Sequence, residues 1–174
     1  MKIYLAARYH RHAEMRQVRD ALAALGHQVT STWIDQHGGT LPDSLTPDAL
    51  NTRPDRCGRF AAVDLADLLA ADTVISFTSE DGGGKGGRHV EFGLALGLGK
   101  RCLLVGPREN VFHTLPTVEH LPDRAALMTT LSRPGPARTA PPGCPSRGPA
   151  APPADPARAT PPTRTPEPRG SDPS

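Results

Sequence analysis

The amino-acid sequence predicts an α/β protein built on a doubly wound parallel sheet of four to five strands. Short apolar runs typical of strands buried on both faces alternate along the chain with segments of helical periodicity. Such alternation requires parallel crossovers, which place helices on both faces of a sheet. A third observation limits this domain, because no large apolar residue occurs after Ser132. Four or five strands in this order indicate a flavodoxin-like, Rossmann-like architecture.

Each predicted element rests on a local pattern. The first strand is an apolar run, and the first helix repeats apolar residues at spacings of three and four until Gly26. The second strand alternates and is rich in β-branched residues, and the second helix is expected to turn Phe60, Val63 and either Leu68 or Leu69 inward. In chain order, we predict a strand over 2–7, a helix ending at residue 26, a strand over 27–34, a long loop over 35–56, a helix over 56–70, a strand over 72–77, a glycine-rich loop over 79–87, a helix over 88–98, a strand over 101–105, a short strand over 117–120 and a helix over 123–131.

The C-terminal segment has a different composition from the rest of the chain. Fourteen of the 20 prolines lie in residues 133–174, where Leu, Ile, Val, Phe, Trp, Tyr and Met do not occur. Such a segment cannot bury enough apolar surface to offset the entropy of ordering it. We therefore expect one α/β domain over residues 1–132 and a disordered, proline-rich tail over 133–174.

Composition excludes several classes of partner. The net charge is +2, and no basic stripe with interleaved aromatic residues occurs, which argues against polymeric nucleic acid as a partner. The three cysteines have no metal-ligand or disulfide spacing, and the seven histidines are scattered along the sequence, so no metal or cofactor is expected. No stretch is long enough to span a membrane, and the N-terminal apolar run is too short for a signal peptide. We expect a cytoplasmic protein that binds small molecules and has no membrane partner.

The polar residues that suggest chemistry follow the predicted strands. In doubly wound sheets, ligands bind beyond the carboxyl ends of the strands. Here those ends are residues 7–10, 33–35, 78–87 and 106–110. The glycine-rich loop over 79–87 leads into a helix, an arrangement that favours anions, but it matches neither the GxGxxG nor the Walker pattern. A simple dinucleotide site is therefore not predicted.

Glu91 is the leading candidate for catalysis. It is expected in the first turn of the helix over 88–98, on one face with the apolar residues Leu94, Ala95 and Leu98. A carboxylate held at a helix N-terminus on an apolar wall is ionised and positioned, as a nucleophile must be. The alternative is a surface glutamate that only complements the helix dipole.

Three segments resemble the nucleoside 2-deoxyribosyltransferase family. The stretch GGRHVEFGLALGLGKRCLLVGP is similar to the family's glutamate-containing signature, KIYLAARY to its N-terminal strand, and VDLADLLAADTVISF to the entry of its third strand. The resemblance implies a double displacement at the anomeric carbon of a 2′-deoxynucleoside. Glu91 would form a covalent deoxyribosyl-enzyme, which another nucleobase would then release. It also implies a homo-oligomer, because family members complete their sites with a neighbouring subunit.

The resemblance assigns roles to further residues. By motif position Asp64 is the second carboxylate and contacts sugar or base, and its spacing to Phe60 and Leu68 places it on the inward face of its helix; the alternative is an exposed helix residue. Tyr9 matches an aromatic residue of the family's N-terminal loop and orients the nucleophile or stacks on a base, the alternative being a partly exposed packing residue. From its place at the end of the second strand, Trp33 would wall the base pocket or be a core residue. The remaining predicted substrate-binding residues lie in the loops at the same edge of the sheet: Ala7, Arg8, Lys85, Gly86, Gly87, Arg88, His89 and Asn110.

One departure from the family leaves the activity open. Typical transferases have an aspartate six residues before the nucleophile, and this chain has Lys85 there. Lys85, Arg88 and His89 would make the pocket mouth basic and suit a 5′-phosphate. The first alternative is therefore a 2′-deoxynucleoside 5′-monophosphate N-hydrolase, which uses water as acceptor. The second is a non-catalytic nucleotide sensor on the same fold.

Overall fold

Five parallel strands and four helices make up the described part of the chain, which comprises residues 1–35, 54–80 and 86–132 of a computed structural model. The strands are β1 (Lys2–Ala6), β2 (Gln28–Val29), β3 (Thr73–Phe77), β4 (Arg101–Val105) and β5 (Val118–Leu121). The helices are α1 (His12–Ala24), α2 (Pro54–Ala70), α3 (Gly87–Gly97) and α4 (Arg124–Ser132). Short 3-10 turns occupy Tyr9–Arg11, Thr32–Asp35 and Val111–Thr114.

The sheet has the order β2-β1-β3-β4-β5. The chain adds β2 on one side of β1 and then adds β3, β4 and β5 in turn on the other side. The three central strands are buried on both faces, as their apolar runs predict. Helices α1 and α4 contact each other, and α2 contacts α3, which gives the two helical layers of a doubly wound fold. The α/β class is thus confirmed, and the carboxyl ends of β1 and β3 meet next to the start of α3.

The predicted second strand is wrong beyond Val29. Residues 32–35 form a 3-10 turn, because the main chain of β1 is hydrogen-bonded here to side chains instead of to the main chain of a neighbouring strand. The Leu5 amide donates to Ser31 Oγ at 2.6 Å, and Trp33 Nε1 donates to the Leu5 carbonyl at 2.9 Å. These bonds satisfy the outer edge of β1 without further strand pairing.

The inward face of α2 also differs from the prediction. Val63 and Leu69 are exposed, whereas Leu68 is buried. The helix turns its 60, 64, 68 row toward the sheet, so that Asp64 lies on the inward face as its spacing predicts, and Val63 does not. The helix begins at Pro54 rather than at residue 56, and proline suits a first helical turn.

Several predictions lie outside the described residues. These are the loop over 36–53, the centre of the glycine-rich loop with Lys85, and the tail over 133–174. The domain boundary near Ser132 therefore stays a prediction. Within the described residues, no helix has the length and apolar character needed to cross a membrane.

Candidate active site

The side chain of Glu91 lies against the buried strand β1. Tyr4 is fully buried in that strand, and its hydroxyl donates to Glu91 Oε1 at 2.9 Å. On α3, Phe92 and Ala95 are buried, whereas Leu98, which follows the helix, is exposed. Glu91 is therefore held by an aromatic hydroxyl against the core, with part of its surface still open.

The carboxyl group of Glu91 is harder to ionise than an ordinary glutamate. Its pKa is raised to about 7, chiefly by burial and to a smaller extent by the charge of Asp64, while the Tyr4 hydrogen bond lowers it. Because α3 begins at Gly87, Glu91 lies in the second turn and not in the first as predicted. The helix terminus is thus less able to stabilise its charge than the sequence suggested.

Asp64 is the second carboxyl group of this site. Burial and, to a smaller extent, the charge of Asp67 together raise its pKa to about 6. Its Oδ1 atom is buried and has no hydrogen-bond partner among the described residues. Its charge raises the pKa of Tyr4 as well as that of Glu91, which places the three groups in one electrostatic cluster. A buried polar oxygen without a partner is costly, and it is available to a ligand hydroxyl or amine.

Tyr9 and Trp33 form an aromatic pair at the same edge of the sheet. Their ring centroids are 6.5 Å apart, and Tyr9 also packs on His12 at 5.5 Å. Ala7 and Arg8 precede this pair, directly after β1, and both are partly buried. The hydroxyl that bonds Glu91 is that of Tyr4, and the role of Tyr9 stays a prediction. Tyr9 is half-buried, whereas Trp33 is only 7% exposed and belongs to the core.

Arg88, a predicted substrate-binding residue, forms an ion pair in this structure. Its Nη2 donates to Glu109 Oε2, and the two side chains are only 5% and 10% exposed. The Arg88 charge is thus balanced inside the protein by Glu109. Its contact with a 5′-phosphate stays a prediction.

His89, Asn110 and His113 complete a polar cluster with this ion pair. Asn110 Nδ2 lies 3.3 Å from His89 Nδ1 and 3.2 Å from His113 Nε2, and Asn110 Oδ1 accepts from the Phe112 amide. His89 and His113, 24 positions apart in the sequence, have their rings 5.7 Å apart. No group within the three described ranges could hold a metal ion.

Two glycines shape the backbone around the site. Gly86 precedes α3 with φ of 85°, a conformation that lets the chain turn into the helix, and Gly87 is the first helical residue. Gly106 follows β4 with φ of 108°, and a Cβ there would lie 2.7 Å from Thr78 Oγ1. The ends of β3 and β4 can therefore approach each other only with glycine at position 106.

The sequence did not predict the contacts that Tyr4, Glu109 and His113 make in this region. Tyr4 appeared as a strand residue, although a buried tyrosine hydroxyl usually requires a hydrogen-bond partner, which is a usable signal. The pairing of Glu109 with Arg88 and the burial of His113 depend on the turn after β4. Neither has a periodic pattern in the sequence.

The chain was compared with known proteins. No protein-family model matches it, and no curated protein matches it. A solved 2-deoxyribosyltransferase from the psychrotolerant bacterium Bacillus psychrosaccharolyticus is 23% identical, with a TM-score of 0.52, over 75% of this chain and 96% of that one. A CMP N-glycosidase of Clostridium botulinum is 19% identical, with a TM-score of 0.46, over 75% of this chain and 98% of that one. The first likeness shows a shared fold.

Proposed function

We propose that this protein cleaves the N-glycosidic bond of 2′-deoxynucleosides and transfers the deoxyribosyl group to another nucleobase. One observation carries the proposal: Glu91 is held by the Tyr4 hydroxyl against the core, and no described cation forms an ion pair with it. Structural carboxylates are normally paired when buried. A carboxyl group without that compensation, at the ligand-binding edge of a doubly wound sheet, is suited to catalysis.

The chemistry follows from the two carboxyl groups. Ionised Glu91 attacks C1′, the bond from C1′ to the base nitrogen breaks with its electrons going to the base, and a glycosyl ester forms. The incoming base then attacks C1′ and gives its ring N–H proton to water as the ester bond from C1′ to Glu91 breaks and releases the carboxylate. Asp64, whose Oδ1 has no hydrogen-bond partner among the described residues, contacts the sugar or base, and water supplies the proton that the leaving base takes up. Tyr4 keeps the attacking carboxylate in position.

The choice of nucleosides over nucleotides rests on the Arg88 ion pair. Because Glu109 neutralises Arg88, this residue has little net attraction for a 5′-phosphate. The half-buried Tyr9 ring, packed on the buried Trp33, provides a wall for the base. The similar fold of a protein named as a 2-deoxyribosyltransferase supports the same class of reaction. We also propose that neighbouring subunits of a homo-oligomer complete the site.

The test is a chromatographic assay with each deoxynucleoside and deoxynucleoside 5′-monophosphate, with and without free adenine. Wild-type protein should form a new nucleoside from a deoxynucleoside and adenine. Glu91→Gln should lower this rate by roughly a thousandfold or more, as loss of a nucleophile does. Glu119→Gln is the matched control, because Glu119 is an exposed glutamate paired with Arg101 and should retain full activity.

Three other results would revise the proposal. Free base released only from monophosphates would identify an N-hydrolase that needs the phosphate. Nucleotide binding without cleavage, unchanged in Glu91→Gln, would favour a sensor. Full transferase activity in Glu91→Gln would remove Glu91 from the mechanism.

A further inference from the structure

We propose that Glu109 is a positioning residue for this site, which ties the end of β3 to the first turn of α3 and thereby fixes the position of Glu91 in the next turn. The inference rests on the proposed function for its catalytic consequence. The tie itself is a matter of contacts and can be tested separately.

Glu109 reaches both neighbouring elements with one carboxylate. Its Oε1 accepts from the Ser79 amide at 3.3 Å, two residues beyond β3. Its Oε2 accepts from Arg88 Nη2 and lies 3.4 Å from His89 Nε2, in the first turn of α3. A single side chain from the turn after β4 thus joins two segments of the chain that both border the site.

The main chain of Glu109 is also held in place, by the turn that follows it. The Glu109 amide donates to His113 Nδ1 at 3.1 Å, and the His113 ring meets the Phe92 ring edge-on at 5.5 Å. His113 is 2% exposed. Because Phe92 directly follows Glu91, the 3-10 turn over Val111–Thr114 packs on the same stretch of α3 that presents the nucleophile.

The electrostatics of this cluster keep Glu109 ionised. Burial alone would raise its pKa, but the hydrogen bonds from Arg88 and Ser79, with the charges of Arg88 and His89, together lower it. Burial lowers the pKa of His113, and the charges of His89, Arg88 and Arg108 lower it further, while Glu109 opposes this. A neutral His113 keeps the Nδ1 lone pair that accepts from the Glu109 amide.

The tie reaches the nucleophile through helix geometry. Arg88 is three residues before Glu91, so their side chains are neighbours on the helix surface. Fixing the Arg88 guanidinium limits the rotation and displacement of this turn. A small displacement of a reacting group is sufficient to lower the rate strongly.

The experiment compares Glu109→Gln with Glu119→Gln, which breaks an exposed arginine–glutamate pair between β4 and β5. For Glu109→Gln we expect kcat to fall by about 10- to 100-fold while KM changes little, because substrate contacts remain and only alignment is lost. Hydrogen exchange should become faster in peptides from α3 and around Ser79, and stay unchanged in β1. Glu119→Gln should change neither measurement.

A second pair of variants separates positioning from general loss of structure. Arg88→Lys keeps the charge but cannot reproduce the guanidinium geometry, so it should fold and show a smaller fall in kcat. In Arg88→Met combined with Glu109→Gln, kcat should equal that of the more impaired single variant, because both changes break one tie. Additive losses would overturn the inference.

Other outcomes are equally decisive. Unchanged kcat and unchanged α3 exchange in Glu109→Gln would overturn the inference while leaving the proposed function intact. If wild-type protein cleaves no substrate, the proposed function fails, and exchange alone decides: faster α3 exchange in Glu109→Gln supports the tie, and unchanged exchange refutes it.

Discussion

Two partly buried glutamates at helix α3 differ in the contacts that compensate their charge. Glu91 receives one hydroxyl hydrogen bond and has Asp64 as its charged neighbour, and burial is the largest cause of its raised pKa of about 7. Glu109 is contacted by Arg88, the Ser79 amide and His89, and these contacts outweigh burial and lower its pKa. Two carboxylates of the same type, bound at one helix, thus have opposite tendencies to bind a proton.

The difference corresponds to two roles of a buried acid, one that stabilises the fold and one that reacts with a substrate. A fully compensated carboxylate stabilises the folded chain and holds its partners, as Glu109 does. An under-compensated carboxylate costs stability and keeps its capacity to react, because no strong partner must be displaced when a substrate arrives. The variants below test whether removing each acid has the opposite effect on the fold.

Glu109→Gln should have the larger effect on stability. It leaves Arg88 charged in a site where its side chain is 5% exposed, and we expect a loss of about 3 kcal/mol in the free energy of unfolding at pH 7. Chemical denaturation of wild type, Glu109→Gln and Glu119→Gln measures this. Adding Arg88→Met should recover part of the loss, and equal midpoints for Glu109→Gln and Glu119→Gln would contradict the comparison.

Glu91→Gln should stabilise the fold at pH 8. The folded-state pKa of about 7 exceeds the ordinary value of 4.5, so the folded state binds this proton more tightly than the unfolded state. The stability associated with Glu91 is complete below about pH 4.5 and is lost as the pH rises through about 7. Removing the acid avoids that loss, with a gain on the order of 1–3 kcal/mol in the free energy of unfolding.

Melting curves of both proteins at pH 5 and pH 8 test this prediction. The advantage of Glu91→Gln should grow with pH and be small at pH 5. A variant that melts below wild type at both pH values would show that the carboxylate contributes to the fold as an ordinary structural group.

Tyr4→Phe and Asp64→Asn should move the pKa of Glu91 in opposite directions. The Tyr4 hydrogen bond lowers this pKa, so its removal should raise it, whereas the Asp64 charge raises it, so neutralising that charge should lower it. Because the nucleophile must be ionised, the rising limb of kcat/KM against pH reports the change. Carbon-13 NMR titration of the glutamate carboxyls gives the same information without substrate, and shifts in the same direction would refute the assignment.

Deleting residues 133–174 should have the smallest effect of all. The segment lacks large apolar residues, so its removal should leave the unfolding midpoint and both glutamate sites unchanged. Denaturation and activity of the truncated protein check this, with full-length protein as the control. A marked loss of either would move the domain boundary.

The sequence predicted the structure best where buried residues form a continuous apolar run or repeat at helical spacing. The three central strands and Leu68 on α2 were predictable because two-sided burial selects continuous apolar runs and helical rows. The second strand was not, since Ser31 and Trp33 satisfy β1 with side-chain bonds that no propensity describes. In the candidate site, position alone indicated Glu91, whereas the pairing of Arg88 with Glu109 required the tertiary path of the turn after β4.

The indole of Trp33 has a practical consequence. It is the single tryptophan of the chain, its Nε1 is bonded to the Leu5 carbonyl, and its ring lies beside Tyr9. Tryptophan fluorescence therefore comes from one known point, a ring only 7% exposed that lies behind the proposed Tyr9 wall. The protein carries its own optical reporter, and a nucleobase that stacks on Tyr9 should change the tryptophan emission in proportion to occupancy.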